Sequence, residues 1–173
     1  MVSKRRVIIS LLALPFLVIV IVPGLILFFE NEFSWTGWAW RPQNTVLIII
    51  SIVLCLFGVN LLFWTNRIFI KKGCGTLAPW DPPREFVVDG PYRLVRNPMI
   101  IGVGLMLAAE AIVFRSNGIT FWTVVFILAN MIYFPLKEEK DLIKRFGDDY
   151  REYCQNVPAW IPRLKPWEGE NER

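Results

Sequence analysis

Arg93 and Arg96 stand three positions apart in the run Gly90-Pro91-Tyr92-Arg93-Leu94-Val95-Arg96-Asn97-Pro98-Met99, which leads straight into an apolar segment. After a later apolar segment comes the acidic pair Glu138-Glu139. A guanidinium can clamp a carboxylate or phosphate through paired hydrogen bonds. Adjacent helical residues point about 100° apart, so the two glutamates cannot face one ligand alike. One of them can hold an ammonium or a pair of hydroxyls while the other pairs with Arg93 or Arg96. The competing readings are plainer: the arginines as topology-setting charges, and the glutamates as a solvated helix start between Lys137 and Lys140. Pro98 suits the first turn of a helix, which makes Asn97 a natural N-cap. Gly102 and Gly104, one turn further on, let a backbone or a ligand approach closely.

These groups lie at the ends of segments that read as membrane helices. The 173-residue chain is 54% hydrophobic, and its charges leave apolar runs that reach or exceed the ~18 residues of a span. Of its 19 Lys and Arg, all but Arg41 and Arg115 fall in the N-terminal tail, the middle segment and the C-terminal tail. The net charge of +4 therefore follows the positive-inside pattern and does not mark a nucleic-acid binder. With no His, imidazole bases, His metal ligands and His-based triads are excluded. Cys55, Cys74 and Cys154 are too scattered for a zinc site, so no metal is expected. Cys55 reads as a packing residue, and Cys74 and Cys154 as free thiols.

The resulting fold class is an all-α integral membrane protein, a single domain over residues 1–173. About four transmembrane helices are expected, at 7–29, 45–66, 99–114 and 119–136. Both termini face the cytoplasm, and the membrane is expected to be a bacterial inner one. Pro15 and Pro23-Gly24 should bend the first span, and a polar loop with Glu30, Glu32 and three tryptophans (Trp35, Trp38, Trp40) follows it. The loop from Lys71 to Pro98 carries Trp80, Phe86, Val88 and Tyr92, which argue for an ordered segment. Arg115-Ser116-Asn117-Gly118 turns the third span into the fourth, making a tight hairpin. Asn60 and Asn130 share a depth and can bond each other or line a pocket; Glu110 sits near the outer end of its span, close to Arg115. In the cytoplasmic tail, 137–163, Leu142, Ile143, Phe146, Tyr150, Tyr153 and Cys154 recur at helical spacing. They form an amphipathic helix, bent at Gly147, that lies on the bilayer or covers the hairpin mouth. An extended Val157-Pro158-Ala159-Trp160-Ile161-Pro162 segment and a loose polar end from Trp167 complete the chain.

Four motifs in this order resemble the isoprenylcysteine carboxyl methyltransferase and phospholipid methyltransferase superfamily. They are Arg96-Asn97-Pro98-Met99-Ile100-Ile101-Gly102, Glu138-Glu139, Phe146-Gly147-Asp148-Asp149-Tyr150-Arg151-Glu152-Tyr153 and Val157 to Pro162. Asn97 replaces the His of the prenylcysteine enzymes and Ile100 their Tyr, whereas the phospholipid branch also carries Asn-Pro-Met. The chain thus looks like a bacterial-type relative. The resemblance implies methyl transfer from S-adenosylmethionine to a lipophilic acceptor, with a carboxylate or amine head group, at the cytoplasmic membrane face. It also implies that Asn97, Pro98, Gly102, Glu138, Glu139 and Tyr150 hold the cofactor, and that Arg93, Arg96 and Glu139 act on the reactants. Two alternatives stay open: an NADPH-dependent membrane reductase, because the ending is similar to that of sterol reductases, and a non-catalytic membrane scaffold.

Overall fold

A computed structural model describes residues 14–33, 44–72 and 86–168, and these are helical or irregular, without a strand. The helices are α1 (Val22–Phe33), α2 (Thr45–Lys72), α3 (Pro98–Phe114), α4 (Asn117–Tyr133) and α5 (Glu139–Asn156). π-helical turns, Leu17–Ile21 and Phe134–Glu138, lead into α1 and join α4 to α5. Two helical stretches are long and apolar enough to cross a membrane, Thr45–Ile68 and the continuous run Asn117–Asn156. Only 11% of the most apolar window of each is buried. Phe57, Phe63, Phe121 and Ile132 are among the side chains left on the outside. A soluble fold would bury such surface, whereas lipid accepts it.

Small residues bring α2 and α3 together. Ser51, Gly58 and Thr65 recur at seven-residue spacing along α2 and are all buried. Their hydroxyls are satisfied inside their own helix, Ser51 Oγ by Leu47 O at 2.8 Å and Thr65 Oγ1 by Leu61 O at 2.7 Å. A Cβ on Gly58 would lie 2.6 Å from Gly102 O and 2.7 Å from Met106 Cγ. One on Gly102 would lie 3.0 Å from Gly58 O. Gly102 is therefore taken up by the helix crossing, in the small-residue manner of membrane helices.

At the other end of the bundle the contacts are polar. Arg115 adopts a left-handed conformation (φ 50°) to stop α3, and Ser116 Oγ accepts Ile119 N–H at 2.9 Å to start α4. Glu30 Oε1 accepts Gly118 N–H at 2.7 Å, so α1 also caps α4. The π turn before α1 supplies a second tie. Val22 N–H bonds Leu17 O, and Pro23, next in register, has no N–H to give. The carbonyl of Val18 is thereby free and takes the Trp122 indole N–H at 3.2 Å.

Several expectations change. Helix α2 runs past Asn66 to Lys72, because no Gly or Pro interrupts Arg67-Ile68-Phe69-Ile70 and Ile68 buries itself. Glu30 and Glu32 belong to α1 and not to a loop. Pro23-Gly24 stands in the first turn of α1, directly after the π turn. Asn130 donates to Phe126 O of its own helix at 2.8 Å, and Asn60 faces outward, so the expected Asn60–Asn130 pair does not form. Glu110 is half-buried, its Oε2 has no hydrogen-bond partner, and Arg115 points to the exterior. Trp35, Trp38, Trp40, Cys74 and Trp80 lie outside the described residues.

The helix crossing generates a direct test. Gly58→Ala should destabilise the detergent-solubilised protein by about 1–3 kcal/mol, the usual cost of overpacking. Gly24→Ala, whose Cβ would meet nothing within 4 Å, should leave the unfolding transition in place.

Candidate active site

The turn between α2 and α3 is built locally. Asp89 Oδ1 accepts Gly90 N–H at 2.9 Å, and Pro91 sets the first position of a 3-10 turn over Gly90–Arg93. Gly90 has φ 53°, and its missing side chain lets it sit against Trp64 and Ile68 at the end of α2. This fixes Arg93, Arg96 and Asn97 at the start of α3.

The second wall comes from α5. The π turn at Phe134–Glu138 carries α4 directly into it, with Pro135 inside the turn. Gly147 (φ 59°, ψ −129°) then breaks α5, where the sequence placed a bend. Beyond the break, Tyr150, Tyr153 and Val157 are buried, packed with Phe86, Val88 and Phe146. Phe86 stacks on Phe146, Tyr150 and Tyr153 with ring centroids 5.4–5.7 Å apart. The ordered reading of this loop thus holds for Phe86, Val88 and Tyr92.

The third wall is the segment after α5, a strap that hydrogen-bonds along the turn. Arg96 N–H donates to Pro158 O at 2.9 Å, Arg163 N–H to Leu94 O at 3.0 Å and Trp167 N–H to Arg93 O at 2.9 Å. Tyr153 Oη donates to Tyr92 O at 2.7 Å. Trp167 is therefore no loose end: its ring lies 5.7 Å from that of Tyr153, and its carbonyl accepts from Arg93 Nε at 2.9 Å.

Arg96 is where the walls meet. Its Nη1 lies 2.8 Å from Glu139 Oε1 and 2.8 Å from Cys154 Sγ. Both members of the ion pair are mostly buried, at 14% and 19% side-chain exposure, so it is far less screened than a surface pair. Burial lowers the Arg96 pKa, but Cys154 and Glu139 outweigh it and hold the guanidinium above its ordinary value. Burial pushes the Cys154 thiol up, with Arg96 pulling the other way. Burial likewise drives the Tyr150 and Tyr153 phenols well above their usual range. Glu138, half-buried, is raised by burial and then by Asp141, with Lys137 and Arg145 opposing.

Two buried polar atoms here lack partners, Arg96 Nε and Asn97 Oδ1. Asn97 occupies the N-cap position but makes no cap hydrogen bond, contrary to the sequence reading. Its Nδ2 turns to Ala159 O at 3.1 Å, because the strap lies beside it. The structure thus brings together Arg96, Asn97, Glu139 and Tyr150 of the residues singled out in the sequence. Pro98 is buried at the helix start, Arg93 reaches the strap and Gly102 faces α2. Glu138 precedes Glu139 in the chain, and the charges acting on it are those of Asp141, Lys137 and Arg145. Cys154, expected as a free thiol on the apolar face of the helix, is a free cysteine that also contacts the Arg96 guanidinium; its position one turn after Tyr150 was the available signal. Among the described residues no group of His, Cys, Asp and Glu suits a metal ion.

Comparison with known proteins gives this cluster a setting. The chain is 36% identical to methanethiol S-methyltransferase 2 of Bradyrhizobium diazoefficiens, over 73% of its own length and 54% of that protein's. It is 30% identical to the methanethiol S-methyltransferase of Pseudomonas deceptionensis, over 80% and 47% of the two lengths. It is 29% identical to methanethiol S-methyltransferase 1 of Bradyrhizobium diazoefficiens, over 72% and 48%. The chain thus spans about half the length of these curated relatives. No solved structure matches it. The phospholipid methyltransferase profile matches residues 46–149, from α2 through the Arg96 turn to the Gly147 break. With these relatives named as methyltransferases and the profile covering more than half of its length, the chain belongs to the phospholipid methyltransferase family.

Proposed function

We propose that the protein is an S-adenosylmethionine-dependent methyltransferase of the bacterial inner membrane. In this reading it crosses the bilayer four times with both termini cytoplasmic, and residues 137–163 cover the site. The acceptor is a small lipophilic molecule that reaches the site from the bilayer, with a thiol ahead of the carboxylate or amine expected from sequence. The observation that carries the reading is the set of polar groups around Arg96. A buried donor (Arg96 Nε) and a buried acceptor (Asn97 Oδ1) both lack partners, beside a carboxylate pair and an aromatic wall. This donor set fits the zwitterionic amino-acid end of the cofactor. Arg96 would take its carboxylate; Asn97 and Glu139 would take its ammonium. Tyr150, Pro98 and Glu138 would complete the surroundings.

When bound, the cofactor supplies a methyl group already activated on a sulfonium sulfur. What the chain must add is proximity, orientation and exclusion of water. The strap and the Tyr150–Tyr153 cluster provide the dry wall. A thiol must lose its proton to become a nucleophile. Glu139 is committed to Arg96, so the proton goes to Glu138, half-buried and raised in pKa by that burial. Two observations favour a thiol. The relatives are named as methanethiol S-methyltransferases, and Arg96 already lies 2.8 Å from a sulfur, that of Cys154. A positive group in that position stabilises a thiolate.

Calorimetry tests the cofactor half of this proposal. The wild-type protein should bind S-adenosylmethionine, and Glu138→Ala/Glu139→Ala should bind it about 10–100-fold more weakly, as expected for lost hydrogen bonds to charged groups. Equal affinity in a folded double variant refutes the assigned role. The acceptor half is read from transfer of a radiolabelled methyl group to methanethiol, with a prenylcysteine and phosphatidylethanolamine as competitors. Methylation of the latter two alone refutes the thiol. Glu138→Gln should lower kcat with a thiol by about 10²–10⁴-fold near neutral pH, the range of a general base. The deficit should narrow as the pH rises toward the pKa of the thiol, which then ionises unaided. A deficit constant with pH would exclude the proton-acceptor role.

A further inference from the structure

The strap that completes the site presents a second surface. Ile161 is 79% exposed and Leu164 100% exposed, in a segment otherwise held tightly by backbone bonds. Both are large apolar residues outside the helices long and apolar enough to cross a membrane. Beside them, the Trp160 ring packs edge-on against Phe134 at 6.1 Å, where α4 passes into the π turn and the exposed apolar side chains of Met131, Ile132 and Leu136 end. Lys137 lies over the Tyr133 ring at 5.8 Å. Lys165 is exposed next to Leu164. The guanidinium of Arg163 donates to Asn156 O at 2.8 Å, on the exposed side of the strap. Aromatic rings and lysines at the end of an apolar helix mark the polar boundary of a bilayer, and the apolar surface of α4 continues through Trp160 onto the strap.

We infer that the strap is a membrane-docking element. Ile161 and Leu164 insert at the boundary between headgroups and acyl chains, and Lys165 meets the lipid phosphates. The occupant of this surface is the bilayer itself. The inference rests on the membrane reading of α2 and α4 but is independent of the methyl acceptor. Its consequence is mechanical. The strap's backbone carbonyls hold Arg96 N–H and the Asn97 side chain, so seating the strap in lipid steadies the residues that surround the cofactor position. Soluble enzymes exclude water with protein alone; here the lipid surface supplies part of the closure.

The test uses the full chain reconstituted in phosphatidylcholine/phosphatidylglycerol nanodiscs. An environment-sensitive fluorescent amino acid is placed at position 164, at position 57 on the lipid face of α2, or at position 155 on the exposed side of α5. Brominated acyl chains should quench the probe at 164 and at 57, and aqueous iodide should quench the one at 155. Quenching at 57 but not at 164 overturns the strap proposal and leaves the membrane reading intact; quenching at neither overturns both. Hydrogen exchange then reads the coupling. Ile161→Ser/Leu164→Ser should speed exchange of the Arg96 and Arg163 amides at least tenfold in nanodiscs, with the α2–α3 crossing unchanged. Unchanged exchange at Arg96 shows that the seat does not steady the site and overturns that part of the proposal.

Discussion

The guanidinium of Arg96 is the charged junction of segments far apart in sequence, which backbone hydrogen bonds and the Phe86 cluster also hold together. Its side chain reaches Glu139 and Cys154 across 43 and 58 positions of sequence, and its own N–H is held by Pro158. The helix-start turn, the first residue of α5, the helix beyond the Gly147 break and the strap all converge on one residue. A charged group so far from water is costly unless every neighbour helps to compensate it. That requirement explains why burial and ion pairing coexist here; the neighbouring phenols are kept neutral by their own burial, with Arg96 pulling the other way. The polar centre is framed by the aromatic cluster of Phe86, Tyr150 and Tyr153.

What supports this centre from below is a crossing of bare backbones. Gly58 and Gly102 let α2 and α3 approach until carbonyls occupy the space of side chains. Because lipid offers no hydrophobic drive for helices to associate, such close van der Waals contact carries the association. The start of α3 is then at the height of the closing turns of α2, where Trp64 and Ile68 receive the Gly90 turn. Backbone packing in the apolar layer thus sets the position of Arg96 in the polar one. At the far end, Glu30 and Trp122 tie α1 to α4 through single hydrogen bonds.

The sequence made legible whatever has a local period or a local breaker. The apolar runs revealed α2, α3 and α4, the Tyr150–Tyr153 spacing revealed the buried face of α5, and Gly147 revealed its break. Asp89-Gly90-Pro91 announced the turn, and a pairing of one glutamate with Arg93 or Arg96 followed from their opposite charges. The choice of Arg96 and Glu139 did not, because it depends on the π turn and on the strap. Asn97 looked like a cap because capping is a local rule, and the strap, which is not local, took its amide instead. Cys154 and Trp167 escaped for the same reason: their partners lie 58 and 74 positions away. Glu30 looked like a loop residue because α1 outlasts its apolar run.

The π turn at Phe134–Glu138 sets a helical phase. Such a turn holds one residue more than the α-helical turn it replaces, so everything beyond it is rotated by about 100° relative to a straight continuation. Glu139 therefore meets Arg96 by virtue of a single surplus residue at the Pro135 turn. Loss of that residue would leave α4 intact and aim a different side chain at the guanidinium. Indexing the helix one step at this joint would exchange the group that faces Arg96 without altering the α2–α3 scaffold that carries it.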